Sequence, residues 1–481
     1  MKSITRRDFV KGSVLAGLAL ALPHSRIFGA NEDIRVAVVG FRGQGGGHIK
    51  RFLGIPGVKI VALCDVDKNV IAGQVAEFEK RNEKVDVYTD VRKLLEDKNI
   101  DAISIATPNH WHALISIWAC QAGKDVYVEK PVSHNIYEGR KIVEAARKYN
   151  RIVQAGTHKR SDTILPEVFE YLQKDNIGKI KLARGFCYKG RKSIGKVAGI
   201  QPIPESVDYN LWTGPAPLVP LMREKLHYDW HWVWPTGNGD FGNQGVHEVD
   251  LCRWAIGQNT LPERVMSIGG RFGYDDDGTT PNTQIAILDY KPAPIIFEVR
   301  GLPFGENSSE ANNYKGIKVG IVVECEGGYF AGGGGGGWVY DNNGNKVKQF
   351  LGDGGGKHQD NFIKAVRSRK GSDLNCDILE GHLSSALCHM SNISYRLGTK
   401  VGPEKIREGI KASGEFTETF GRFQSHLEAN KVNIEETPAV IGAALKMDPK
   451  KEMFVGEFPT QWANELLNRD YRKPFIVPDQ V

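Results

Sequence analysis

No two cysteines in the chain stand in C-x-x-C spacing, although there are seven of them, at 64, 120, 187, 252, 325, 376 and 388. Several sit inside apolar runs, so they read as buried thiols and not as a disulfide framework. A membrane-length apolar run is lacking too. The stretch from Val14 to Leu22 is shorter than the about 20 residues that cross a bilayer. Disorder and collagen-like repetition are also excluded, because 41% hydrophobic and 25% charged residues is ordinary globular composition. A length of 481 residues allows two to three domains.

What is present begins with Thr5-Arg6-Arg7-Asp8-Phe9-Val10-Lys11 ahead of that apolar stretch, the form of a twin-arginine export signal. Residues 1–30 are therefore set aside from fold reasoning. Cleavage is expected near Phe28-Gly29-Ala30, with Phe28 a departure from the small-residue rule, and no cysteine follows to carry a lipid. Passengers of this route cross folded, which suits a protein that acquires a cofactor first, so a periplasmic location is expected. Removing the leader takes away five positive charges and one negative, which lowers the formal charge from +6 to +2. A nearly neutral mature chain does not recruit nucleic acid or an anionic membrane by its field.

From Ile34 to Ala155, short β-branched runs (Ile34 to Val39, Lys59 to Leu63, Asp101 to Ala106, Asp125 to Val128, Ile152 to Gln154) alternate with helical-period segments. That alternation predicts a doubly wound parallel sheet, a Rossmann-type α/β unit over residues 31–156. Beyond it, one helix near Ile164 to Gln173 is followed by β-like runs starting at Ile180, Arg264, Thr283, Ile295 and Ile317. Such an order predicts a second, α+β domain over 157–400 with a large, mostly antiparallel open sheet. The glycines at 332–337 and 354–356 read as flexible loops. Helical period returns from His358 to Arg369 and from Ile378 to Leu397. Residues 401–481 form a C-terminal extension of mixed patterning.

The first strand runs into Gly40-Phe41-Arg42-Gly43-Gln44-Gly45-Gly46-Gly47, where side-chain-free positions let backbone N–H groups approach a pyrophosphate at a helix N-terminus. The spacing departs from G-x-G-x-x-G, since Arg42 holds the third position. Asp65 ends the second strand about 25 residues on, where a carboxylate accepts from an adenosine ribose hydroxyl. It would repel a 2′-phosphate, so NAD is favoured over NADP. Thr107-Pro108-Asn109-His110-Trp111-His112 and Glu129-Lys130-Pro131 follow later strands at their carboxyl ends, where open α/β sheets bind ligands. Between Leu226 and Trp234, His227-Tyr228-Asp229-Trp230-His231-Trp232 concentrates aromatic groups. Tyr228, Trp230, His231 and Trp232 form either a stacking wall for pyranose faces or an aromatic plug under a loop. His227 and His231 stand at i, i+4, but no third ligand is identifiable and no metal is expected.

T-P-N-x-x-H and E-K-P at this spacing, after a glycine turn, resemble the glucose–fructose oxidoreductase / inositol dehydrogenase / rhizopine-catabolism (Gfo/Idh/MocA) family, over about Ile34 to Gly398. The resemblance implies that Thr107, Asn109, His112, Glu129 and Lys130 join Gly40, Arg42, Gly43, Gln44, Gly45 and Asp65 around NAD. It puts Lys130 beside the nicotinamide and His247 at the position of the catalytic histidine. Asn243 stands where the family has an aspartate. An amide orients a hydroxyl but takes no proton, so base duty falls on His247, with Asp240 a short way upstream.

The expected activity is reversible hydride transfer between NAD and a sugar or glycoside hydroxyl. Lys130 would polarise the reacting oxygen, His247 would take its proton, and Asn243, His158 and Arg160 would orient hydroxyls. Two alternatives stand beside it: an NAD-dependent glycosidase acting by oxidation, elimination, hydration and reduction, and a non-catalytic sugar-binding protein that keeps the fold. A homo-oligomer, dimer or tetramer, is expected because an open antiparallel sheet leaves a face to be covered.

Overall fold

The computed structural model describes residues 33–303, 313–457 and 459–481. The leader reading over residues 1–30 lies outside them. No helix of the described residues is long and apolar enough to cross a membrane.

The first half alternates strand and helix: β1 (Ile34–Val39), α1 (Gln44–Leu53), β2 (Val58–Cys64), α2 (Lys68–Glu79), β3 (Asp86–Tyr88) and α3 (Val91–Glu96). It continues with β4 (Ala102–Ile105), α4 (Asn109–Gln121), β5 (Asp125–Val128), α5 (Ile136–Lys148) and β6 (Val153–Ala155). The strand order is β3-β2-β1-β4-β5-β6, all parallel, so the order reverses at β1/β4. That reversal opens the crevice in which such sheets bind dinucleotides. Helices start where the sequence supplies caps: Asp67 accepts from Asn69 N at α2, and Asn135 accepts from Glu138 N at α5. Both faces of the sheet are buried, which is why β4 and β5 carry no exposed residue.

The second half enters through α6 (Leu165–Gln173), β7 (Ile180–Tyr188), α7 (Tyr209–Thr213) and α8 (Val246–Ala255). Four strands follow, β8 (Arg264–Gly270), β9 (Thr283–Asp289), β10 (Ile295–Arg300) and β11 (Val319–Cys325). Then come β12 (Gly328–Gly333), β13 (Gly336–Asp341) and β14 (Lys346–Leu351). After α9 (His358–Ser368) and α10 (Ile378–Arg396), the chain adds β15 (Thr399–Val401), α11 (Pro403–Ile410) and α12 (Gly414–Ala429). It ends with β16 (Ala439–Ile441), β17 (Leu445–Asp448), β18 (Met453–Val455) and α13 (Thr460–Glu465).

Twelve strands form one open sheet, antiparallel except where β7 lies parallel to β10. Residues 401–481 belong to this structure. β16 and β17 both pair with β8, and Phe475 and Val477 pack into the core of the first half.

One expectation is corrected here. The glycine run 332–337 is not a flexible loop: it forms the ends of β12 and β13 and the turn between them. A Cβ at Gly337 would come 2.3 Å from the Ala331 carbonyl oxygen, and one at Gly336 would come 2.2 Å from that of Phe350. Glycine there permits close strand approach. Part of one face of the large sheet is covered within the chain. Phe416, Phe420, Phe423 and Leu427 of α12 pack on Leu182, Ile268, Ile285 and Ile296.

Candidate functional site

β1 hands the chain to Gly40, whose φ of +75° is a left-handed conformation that favours glycine. A Cβ at Gly45 would stand 2.0 Å from the Gly40 carbonyl oxygen, so Gly45 serves the tight turn and does not line the cleft. At Gly43 a Cβ would meet nothing within 4 Å, and no side chain caps α1 there. The helix therefore presents its amino end to open space, the arrangement that receives a phosphate. Asp65 accepts from Phe41 N at 3.1 Å and Asp67 N at 3.0 Å, which ties the turn to the end of β2. Burial raises its pKa against those bonds.

The floor comes from the ends of β4 and β5. Thr107 Oγ1 is buried without a hydrogen-bond partner among the described residues. His112 joins the two motifs, its ring nitrogens 2.8 Å from the Thr107 carbonyl and 2.6 Å from that of Pro131. Asn109 Nδ2 donates to Asn238 Oδ1 at 3.0 Å and so reaches into the second half. Glu129 is buried, yet bonding and charge from His48, the charge of Lys130 and a bond from Gln44 outweigh burial and hold its carboxyl at about 2. Lys130 Nζ donates to the Asn243 carbonyl at 2.5 Å. Burial lowers its pKa, opposed by Glu129, Glu248 and Asp240.

The opposite wall belongs to the second half. His247, in the first turn of α8, is buried, and its Nδ1 has no partner among the described residues. Burial, then the charges of Lys130 and Lys159, hold its pKa well below the ordinary value, so the ring is neutral at pH 7. His158 meets it edge-on, ring centres 4.9 Å apart. His231 stacks on Trp230 at 3.5 Å and donates to the Tyr228 carbonyl at 2.5 Å.

Of the residues named from sequence, Gly40, Arg42, Gly43, Gln44, Asp65, Thr107, Asn109, His112, Glu129 and Lys130 line one cavity of about 550 Å³. His158, Tyr228, Trp230, His231, Asn243 and His247 line the same cavity. Arg160 and Trp232 do not. Arg160 is buried in a bidentate pair with Asp250, 2.8 Å on both arms, and its guanidinium lies 4.7 Å from the Trp254 ring centre. Hydroxyl orientation by Arg160 is therefore corrected to a structural ion pair. Trp232 is turned inward beneath Arg191, the guanidinium 5.4 Å from its ring centre, which is the plug reading and not the stacking wall. Asp240 is paired with Arg191 at 2.6 and 2.7 Å and does not line the cavity. The i, i+4 histidines diverge, since His227 Nε2 donates to Asp67 at 3.2 Å. No metal-ligating group was found among the described residues.

A lid over the adenosine end had no sequence signal. Lys68 N donates to the Ser206 carbonyl at 2.9 Å and Asp208 N to the Val66 carbonyl at 3.0 Å, which pins the segment before α7 onto the end of β2. Trp111 Nε1 donates to the Leu211 carbonyl at 2.9 Å. Leu211 and Trp212 thus line the same cavity as Asp65 and Asp90.

Glycine turn, strand order and cleft define a dinucleotide-binding Rossmann half joined to an α/β half. Residues 34–157 match the Gfo/Idh/MocA oxidoreductase family model for the NAD-binding Rossmann fold, and residues 176–286 match the model for its C-terminal α/β domain. The chain has the Gfo/Idh/MocA oxidoreductase fold. A glycosyl hydrolase family 109 protein of Shewanella sp. (strain ANA-3) is 32% identical over 174 residues, 31% of this chain and 38% of that protein. The uncharacterized oxidoreductase YrbE of Bacillus subtilis is 25% identical over 226 residues, 47% of this chain and 54% of that protein. The chain thus matches between about two fifths and about half of these relatives' lengths. Among solved structures, the WlbA dehydrogenase of Bordetella pertussis, described in complex with NADH and UDP-GlcNAcA, superposes with a TM-score of 0.57. It is 19% identical, over 76% of this chain and 97% of that one.

The cleft fits NAD on its own geometry: an open amino end of α1 for the pyrophosphate, Asp65 for the ribose, and an unpaired Thr107 hydroxyl on the floor. Replacing Asp65 with Ser should raise NADP affinity relative to NAD by tenfold or more, because it removes the carboxylate that repels a 2′-phosphate beside Arg42. Fluorescence titration with both nucleotides measures the ratio. An unchanged ratio would place the ribose elsewhere.

Proposed function

We propose that the protein transfers a hydride between NAD and a hydroxyl or ketone carbon of a sugar or glycoside. The observation that carries this reading is the convergence of Lys130, Asn243, His158 and His247 on the cavity that also holds the glycine turn and Asp65. When bound, the nicotinamide accepts or returns the hydride. In the oxidising direction Lys130 donates a hydrogen bond to the reacting oxygen, and neutral His247 takes the hydroxyl proton as the C–H hydride leaves. Asn243 and His158 orient neighbouring hydroxyls. His231 stacked on Trp230, with Tyr228 exposed beside them, offers a ring face to pyranose C–H groups.

Two cations around this end are already paired with carboxylates, Lys159 with Glu248 and Arg191 with Asp240, while Lys189 donates to the neutral Gln244 amide. That supports a neutral sugar or glycoside in preference to a substrate bearing a diphosphate. Direct assay with free sugars and NAD tests the reading by NADH absorbance.

The lid over the adenosine end favours a second reading, in which NAD stays bound and is reduced and reoxidised within one turnover, as a glycosidase of the oxidation–elimination type requires. The family 109 relatives point the same way. On this reading the purified protein releases one nucleotide per chain on denaturation, and aryl glycosides lose their aglycone without net NADH. Nucleotide-free protein that turns over only with added NAD would remove the second reading and leave the first.

A further inference from the structure

Beneath Lys130 lies a line of buried polar groups that the hydride-transfer reading does not use. His48, in the second turn of α1, is fully buried in the Rossmann half. Its Nε2 is 2.9 Å from Glu129 Oε1 and its Nδ1 is 2.8 Å from Ser104 Oγ in β4. Gln44 Nε2 donates to the same carboxylate oxygen at 3.2 Å, and Lys130 N donates to Glu129 Oε2 at 3.2 Å. An ionised carboxylate only accepts, so the hydrogen of the Glu129 bond belongs to His48 Nε2. Ser104 completes the ring in either charge state, because a hydroxyl donates to a bare Nδ1 and accepts from a protonated one. A backbone carbonyl in its place would do only the second.

We propose that Ser104, His48 and Glu129 form a relay that holds an anion beneath Lys130, which makes His48 a positioning residue for the reacting ammonium. The inference rests on the reading that gives Lys130 a role at the reacting oxygen. A buried ammonium needs an opposing charge nearby, and a buried carboxylate stays ionised only while donors hold it. His48 is the donor from α1, so the helix that starts at the glycine turn also fixes the charge state at the reacting end.

Several other groups face Lys130 and set the background. Glu248 and Asp240 support its charge, Lys189 opposes it, and His112, His158, His231 and His247 share its field. Glu248 and Asp240 are engaged by Lys159 and Arg191. Glu129 is held by Gln44 and by the amide and charge of Lys130 itself, but most of all by His48, and so depends on the relay.

The test reads the Lys130 amine directly. Competitive acetylation with acetic anhydride across pH, on the NAD-loaded protein, gives its titration midpoint by mass spectrometry of the Lys130 peptide. His48→Leu and Glu129→Gln weaken or remove the anion, so each should move the midpoint down by roughly one unit or more. His48→Gln, which keeps a donor toward Glu129, should restore most of it. Ser104→Ala, a smaller change, should produce a shift in the same direction and covers the event that His48→Leu does not fold. An unmoved midpoint in Glu129→Gln together with a folded His48→Leu or Ser104→Ala overturns the relay. Failure of the underlying reading looks different: Lys130→Met would then keep its turnover, whatever the acetylation midpoint does.

Discussion

Lys130→Met is expected to lower kcat by about 10² to 10³ while leaving NAD affinity nearly unchanged. Methionine keeps most of the side-chain volume but removes the only group at this position able to donate to developing negative charge. Losing one such donor costs roughly 2.7 to 4 kcal/mol of transition-state stabilisation. The contacts expected to carry cofactor affinity lie elsewhere, at the glycine turn and Asp65, so a titration with NAD should superpose on that of the unmodified protein. The Asn243 carbonyl loses its bond from Nζ, and the segment before α8 is the place where a purely structural effect would appear. A thermal melt of the same variant separates the two effects. Near-normal kcat would remove Lys130 from the chemistry, and a defect confined to NAD binding would reassign it to the cofactor.

The parts legible in the sequence are those whose signal is local. A β-branched run ending in glycine, an aspartate closing the next strand, and T-P-N and E-K-P after further strands each declare a strand end within a few residues. Strand ends of a parallel sheet are where its ligands sit. Arg160 misled because its partner, Asp250, is 90 residues away, and a bidentate pair leaves no trace in spacing. Trp232 was ambiguous for a related reason. Whether an aromatic residue faces solvent, ligand or core depends on what anchors its backbone, here Thr279 and Thr280, whose N–H groups donate to its carbonyl. In the glycine run, composition alone cannot tell a mobile loop from strands that approach too closely for a Cβ. His48 has no signal of its own, because a histidine directly after a glycine turn has no meaning until Glu129 is folded beside it. Residues 401–481 carry strands of three or four residues, and runs that short show little period of their own.

Acid should unfold this protein early, with stability falling steeply from pH 6.5 toward pH 5. Burial holds His110, His389 and His426 at about 3 and His358 at about 4. His134 and His247 also lie well below the ordinary value. The unfolded chain titrates its histidines at about 6.5. Below that pH the unfolded state therefore binds protons that the native state refuses. Stability is complete above about 6.5 and is lost as pH falls toward the folded values. By pH 5 each such histidine costs roughly 2 kcal/mol, which for a chain of this size lowers Tm by only about 2 °C apiece, so the six together bring a fall on the order of 10 °C. Buried Asp125, Glu138 and Glu248, whose pKa values are raised, act in the opposite direction. Glu129 and Glu452, held at about 2, reinforce the loss once the pH passes below about 4.3. The histidines outnumber the opposing carboxylates, so the net slope is acid-destabilising. His426 gives the sharpest check, because its Nε2 is buried with no partner among the described residues. His426→Leu should leave the Tm at pH 8 almost unchanged and flatten its decline between pH 6.5 and 5 by one proton's share, read by calorimetry at several pH values. A Tm that stays level from pH 7 to pH 5 in the unmodified protein would show that these rings take up protons in the native state.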